Sequence, residues 1–116
     1  MIPKDLMEKM IENGRTSEES GGRLHRLPVV RILSLDTGTQ WLLSEVSPVN
    51  EALAFGVYIP ASGAVPQLGW VSVAELCYNR SRAGRLLDVD RDFRPIKSIS
   101  DTAPELRFTG SIPSRP

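Results

Sequence analysis

The apolar positions of the chain follow two periods. Over "IPKDLMEKMIENGR", Leu6 and Met10 are four residues apart, as are Met7 and Ile11, with charged residues between them. That spacing gives one apolar stripe and predicts an amphipathic helix, its stripe docked on a sheet. Pro3 suits a first helical position, and Asp5 sits where the helix dipole favours negative charge. Asn13-Gly14 supplies a left-handed stop. The small polar stretch from Thr16 to Gly22, "TSEESGG", then reads as a loop.

From Leu27 the period becomes two. "LPVVRILSL", Leu27 to Leu35, is rich in β-branched residues and alternates around Arg31, which predicts a strand. "DTGT" makes a turn and "QWLLSEV" a second strand, so the pair reads as a hairpin. After the loop "SPVNE" comes "ALAFGVYI", whose nearly continuous apolar run suits a central strand buried on both faces. A Pro/Gly loop, "PASGAVPQ", leads to a short fourth strand over Leu68 to Val71. Ser72 and Glu75 then form the S-x-x-E pattern of a capping box, which starts a helix from Val73 to Asn79 with Leu76 and Cys77 turned inward. Leu87 and Val89 alternate with Asp88, Asp90 and Asp92, as in an edge strand with a solvated acidic face, and Pro95 closes it. From Asp101 onward Pro, Ser, Thr and Gly dominate, and a loosely ordered tail is expected. The predicted fold is α+β: a mainly antiparallel sheet of four to five strands, an N-terminal helix and a short helix after the fourth strand. Residues 1–100 form one domain in this reading and 101–116 its tail.

Composition changes this picture little. The 116 residues suffice for one modest core, and the formal net charge is zero, with 14 basic and 14 acidic residues. Broad nucleic-acid binding rests on excess positive charge, so that reading is disfavoured. No apolar run approaches the roughly 20 residues of a membrane span. One cysteine excludes an internal disulfide and fits a cytoplasmic location.

The inventory for catalysis is thin. His25 is the only histidine, with no partner at a known spacing, and Cys77 reads as a small buried hydrophobe. One His and one Cys do not make the usual structural zinc patterns, and no Gly-rich phosphate loop is present. The carboxylates of Asp88, Asp90 and Asp92 share one strand face and could hold a hard cation, but Arg91 and Arg94 lie close enough to neutralise them. Glu45 and Asp36 could pair as acid and base, although nothing fixes their separation. No cofactor, metal site or catalytic residue is therefore expected. The candidate partner-binding residues are Trp70, Arg80, Arg82, Arg85, Asp88 and Asp90. The three arginines follow a helix end, where cations meet the dipole favourably and can grip phosphates or an acidic surface. Trp70 is a core residue or a partner anchor, depending on strand register.

The blocks "PVVRILSLDTGTQWLLSEVSP", "AFGVY", "LGWVSVAEL" and "DVDRDFRP", with "ENGR" closing the first helix, occur in an order that resembles the bacterial domain-of-unknown-function 2958 family. The resemblance covers roughly Ile2 to Ser100. "YNRSRAGRLLD" and the Pro60 to Pro66 loop depart from the family pattern. The resemblance implies carriage on plasmids, phages and conjugative elements, and it transfers no catalytic residue. The leading expectation is a small non-enzymatic protein that binds a host or element-encoded protein, as an anti-CRISPR-like inhibitor of host defence would. An accessory factor that contacts nucleic acid through Arg80, Arg82 and Arg85 is the alternative, and an enzyme ranks third. The protein is expected as a monomer or homodimer, away from membranes.

Overall fold

The fold was obtained as a computed structural model, described for residues 2–81, 87–90, 92–95, 97–102 and 107–115; of these, the side chains of 79–81 and 107–109 are not described. Helix α1 (Lys4–Ser20) is followed by a 3-10 turn at Arg23–His25 and by strands β1 (Val30–Ser34), β2 (Gln40–Val46), β3 (Leu53–Ile59) and β4 (Gln67–Ser72). Helix α2 (Val73–Ser81), strand β5 (Leu87–Val89), the short helix α3 (Ile99–Thr102) and strand β6 (Arg107–Ser111) complete it. The strands form one sheet in the order β5-β1-β2-β3-β4-β6, antiparallel except for the β4–β6 pair. The α+β architecture and the β1–β2 hairpin agree with the pattern of the sequence.

Both faces of the sheet are covered. On one, Met10 of α1 and Leu76 of α2 pack with Ile32, Trp41, Leu43 and Val71 in the larger core. On the other, Leu42, Phe55, Val57 and Leu68 pack with Ile99 of α3, and Phe93 and Trp70 lie at the margin of that cluster. Burial on two sides explains why β3 reads as a continuous apolar run. β5 lies at an edge as its short alternating pattern implies, with Leu87 and Val89 buried.

Two expectations are corrected. The helix does not stop at Asn13-Gly14: α1 continues to Ser20, and the turn falls at Gly21 (φ 81°) and Gly22 (φ 86°). Its buried stripe runs Met10, Gly14, Ser17, so the inward face becomes small and polar instead of ending. The sheet has six strands, because β6 joins it beyond the expected boundary at Ser100. Within the segment beyond Ser100, Ile112 is buried, and the Trp41 indole donates to the Pro113 carbonyl at 2.7 Å. A strand that pairs with β4 by backbone bonds needs no apolar pattern of its own, and among the described side chains Ile112 supplies an apolar anchor.

The capping box is half formed. Ser72 Oγ accepts the Glu75 backbone N–H at 3.1 Å, while Glu75 Oε2 accepts from the Ser114 hydroxyl at 3.0 Å. The glutamate thus holds the C-terminal segment against α2.

Candidate functional site

The most concentrated polar chemistry lies where β1 parts from β2. β1 pairs with β2 only as far as Val30↔Leu43, and Val29 N–H closes on the Leu43 carbonyl at 2.8 Å. Past that point α1 takes over: Asn13 Nδ2 donates to the Ser44 carbonyl at 2.9 Å, and Gly14 lies against the Val46 carbonyl. A register shift between Leu43 and Glu45 marks a β-bulge. Plain alternation from Leu43 would turn Glu45 toward the larger core. The extra residue instead places it opposite Phe55, on the other face.

Glu45 is fully buried, and its carboxylate collects three side chains. Ser17 Oγ of α1 donates to Oε1 at 2.9 Å, and Arg23 Nε of the 3-10 turn donates to Oε2 at 3.1 Å. Arg26 Nε stands 4.0 Å from Oε1, within ion-pair range, and makes no hydrogen bond among the described residues. The rest of Arg26 is held by neutral groups: Nη1 donates to Asn13 Oδ1 at 3.3 Å and Nη2 to Ser17 Oγ at 3.1 Å. The Ser17 hydroxyl therefore relays, accepting from Arg26 and donating to Glu45. A buried carboxylate is tolerated when cations and hydrogen bonds replace its lost hydration, and here both do.

Arg23 links this cluster to the aromatic face. Its Nη2 reaches Glu18 at 3.2 Å, and its guanidinium carbon sits 5.1 Å from the Trp70 ring centroid and 5.6 Å from that of Phe55. The two rings meet edge to face, with centroids 5.1 Å apart at 63°. The planar cation lies within cation–π range of both rings while Glu45 and Glu18 fix its orientation.

Trp70 is therefore half-buried, packed on Phe55 and Arg23, and it faces the smaller cluster while its neighbour Val71 faces the larger one. Arg80 lies in α2 with its side chain outside the described residues, and Arg82 and Arg85 lie wholly outside them. The acidic row is divided among local tasks. Asp88 Oδ1 accepts the Val89 N–H at 2.9 Å, Asp90 pairs with Arg31 at 2.8 Å, and Asp90 Oδ1 also accepts the Asp92 N–H. Among the described residues no three His, Cys, Asp or Glu side chains are grouped to hold a metal ion. Asp36 accepts from Ser34 Oγ at 2.6 Å in the β1–β2 turn, at the opposite end of β2 from Glu45, so the two carboxylates do not meet. His25 is exposed in the 3-10 turn, and Cys77 is half-buried on α2. Among the described residues no helix is long and apolar enough to cross a membrane.

Sequence reasoning named Glu45 but not its partners. Asn13 and Ser17 are four apart on one helix face, and Arg23 and Arg26 precede the first strand, so an i, i+4 polar pair beside two arginines was the available signal.

These features define a class, a two-faced, six-stranded α+β sheet protein fastened by a buried glutamate. The chain belongs to the family described as "Protein of unknown function (DUF2958)", whose family model matches residues 1–113. No curated protein and no solved structure matches it.

Proposed function

We propose that this protein acts by binding another protein through the surface around Trp70 and Arg23. The observation that carries the reading is the preset pair itself: a partly exposed tryptophan held between a phenylalanine edge and a guanidinium clamped by Glu45 and Glu18. Trp and Arg dominate binding hot spots, and side chains ordered before association lose less entropy when a partner arrives. In its more specific form the protein is encoded on a mobile element and inhibits a host defence system in the manner of an anti-CRISPR protein. The resemblance of the sequence blocks supports that form, together with the divergence of the Pro60 to Pro66 loop.

Affinity capture from a host lysate with the wild-type chain and Trp70→Ala tests the general reading. The expected result is a protein retained by the wild type whose affinity, measured with purified components, falls at least about 30-fold in Trp70→Ala. Recovery of no stable partner at any salt concentration would overturn it. For the specific form, expression in a CRISPR-immune host should restore plating of the targeted phage, and Trp70→Ala should not. The nucleic-acid alternative through Arg80, Arg82 and Arg85 requires shifted mobility of DNA or RNA at low salt.

A further inference from the structure

The segment from Gly21 to Val29 is attached unlike the rest of the molecule. It leaves α1 through two consecutive glycines of positive φ, and a Cβ at either position would meet nothing within 4 Å, so nothing packs against the outer side of this corner. Leu24, His25 and Leu27 are exposed, and Pro28 is the one buried residue between Gly21 and Val29. Past the Gly21 N–H bond to the Ser17 carbonyl that ends α1, two backbone bonds among the described residues join the segment to other elements: Val29 N–H to the Leu43 carbonyl, and Ile99 N–H of α3 to the Arg26 carbonyl at 2.9 Å. Beyond these, Val29 packs at the margin of the larger core, Arg26 donates to Asn13 and Ser17, and Arg23 pairs with Glu18, while the charged ties of both arginines meet at one group. Arg23 and Arg26, with side chains 30% and 20% exposed, both reach a carboxylate that is 0% exposed and fixed in β2. Segments held by few apolar contacts open at lower free energy than the core around them.

We infer that Gly21 to Val29 is a hinged strap, latched by Glu45, that opens as a unit and uncovers the Phe55–Trp70 ring pair while the sheet stays folded. Glu45 is the fixed half of the latch and the two arginines are the moving half. Both arginines approach one carboxylate, so its removal weakens both charged contacts at once and leaves Arg26 only its neutral bonds to Asn13 and Ser17. Arg23 lies over both rings, so withdrawing it bares Phe55, which is only 1% exposed when the strap is closed. The carbonyl of Arg26 leaves with the strap, and the Ile99 amide loses its acceptor although α3 itself does not touch Glu45 through any described hydrogen bond or ion pair. The inference holds whether or not Trp70 meets a partner.

Amide hydrogen exchange on the full chain tests it, with acrylamide quenching of tryptophan emission alongside. In the wild type the Val29 and Ile99 amides should share one opening constant, larger than that of the β3 amides from Ala54 to Tyr58. Glu45→Gln should raise both by roughly 10- to 100-fold, the range set by losing hydrogen bonds to a charged group. The Thr102 amide, bonded to the carbonyl of Ser98 just before α3, should stay unchanged. Quenching of Trp70 should rise in step, with the fully buried Trp41 as the protected internal reference. Arg23→Lys keeps the charge and shows the same pattern at smaller size, which preserves the test if Glu45→Gln fails to fold. Separate opening constants for Val29 and Ile99, exchange at both that tracks β3, or faster exchange without added Trp70 quenching would each overturn the strap.

Discussion

At the scale of single residues, the Glu45 cluster is asymmetric, and the asymmetry fixes the sign of a comparison. The carboxylate is fully buried, while Arg23 and Arg26 keep part of their surface in water. Removing the glutamate lets two cations turn outward; removing both cations leaves a carboxylate with only Ser17 to replace its hydration. Glu45→Gln should therefore lower the unfolding free energy by about 2 kcal/mol, and the Arg23→Gln/Arg26→Gln double variant by about 4 kcal/mol. Urea denaturation at matched pH checks the order, and equal or reversed losses would show that the buried charge is not what the arginines compensate. Little of this was legible in the sequence. A glutamate in "QWLLSEV" has no marked face, because the bulge that turns it toward Arg23 is a property of the β2–β3 register. The acidic row from Asp88 was visible as a pattern, but the carboxylates of Asp88 and Asp90 serve separate backbone and ion-pair contacts that a pattern does not distinguish.

At the scale of elements, the strands were easier to read than the first helix, for a physical reason. "QWLLSEV" coincides with β2 and "ALAFGVYI" with β3 because burial imposes apolar side chains there. The second half of α1 obeys a different demand, close approach to the β2 backbone. A Cβ on Gly14 would fall inside the contact radius of the Val46 carbonyl oxygen, so this helix needs glycine where propensity alone would place alanine. In an isolated helix Gly→Ala gains about 1 kcal/mol. In this protein Gly14→Ala should instead lose about 2–3 kcal/mol, as overpacked cores do, because the helix must move off β2 and loosen Asn13 from the Ser44 carbonyl. Thermal unfolding of the variant decides between the two signs. A stabilised protein would mean that α1 does not sit on β2 as described.

At the scale of the whole molecule, the two layers are closed by the segment that composition made look dispensable. After β6 the chain continues along β4: Ile112 N–H bonds the Trp70 carbonyl at 2.9 Å, and the Ile112 side chain enters the larger core. Pro113 accepts the Trp41 indole and Ser114 holds Glu75 of α2, so three residues join β4, β2 and α2. Trp41 and Tyr58, with ring centroids 5.6 Å apart, lie in the same core and share its closure. Truncating Ile112 to Ala should cost about 2–4 kcal/mol, the range for deleting buried methyl and methylene groups. Removing residues 112–116 should cost more, because the indole N–H also loses its acceptor in a buried setting, adding about 1–3 kcal/mol. The two changes differ in fluorescence as well as in stability. Ile112→Ala keeps the Pro113 carbonyl and should leave Trp41 emission nearly unchanged, whereas the truncated chain should shift it to longer wavelength as water reaches the ring. If the truncated chain kept both the wild-type emission and the wild-type denaturation midpoint, the segment would be the unattached tail its composition suggests, and the core would close without it.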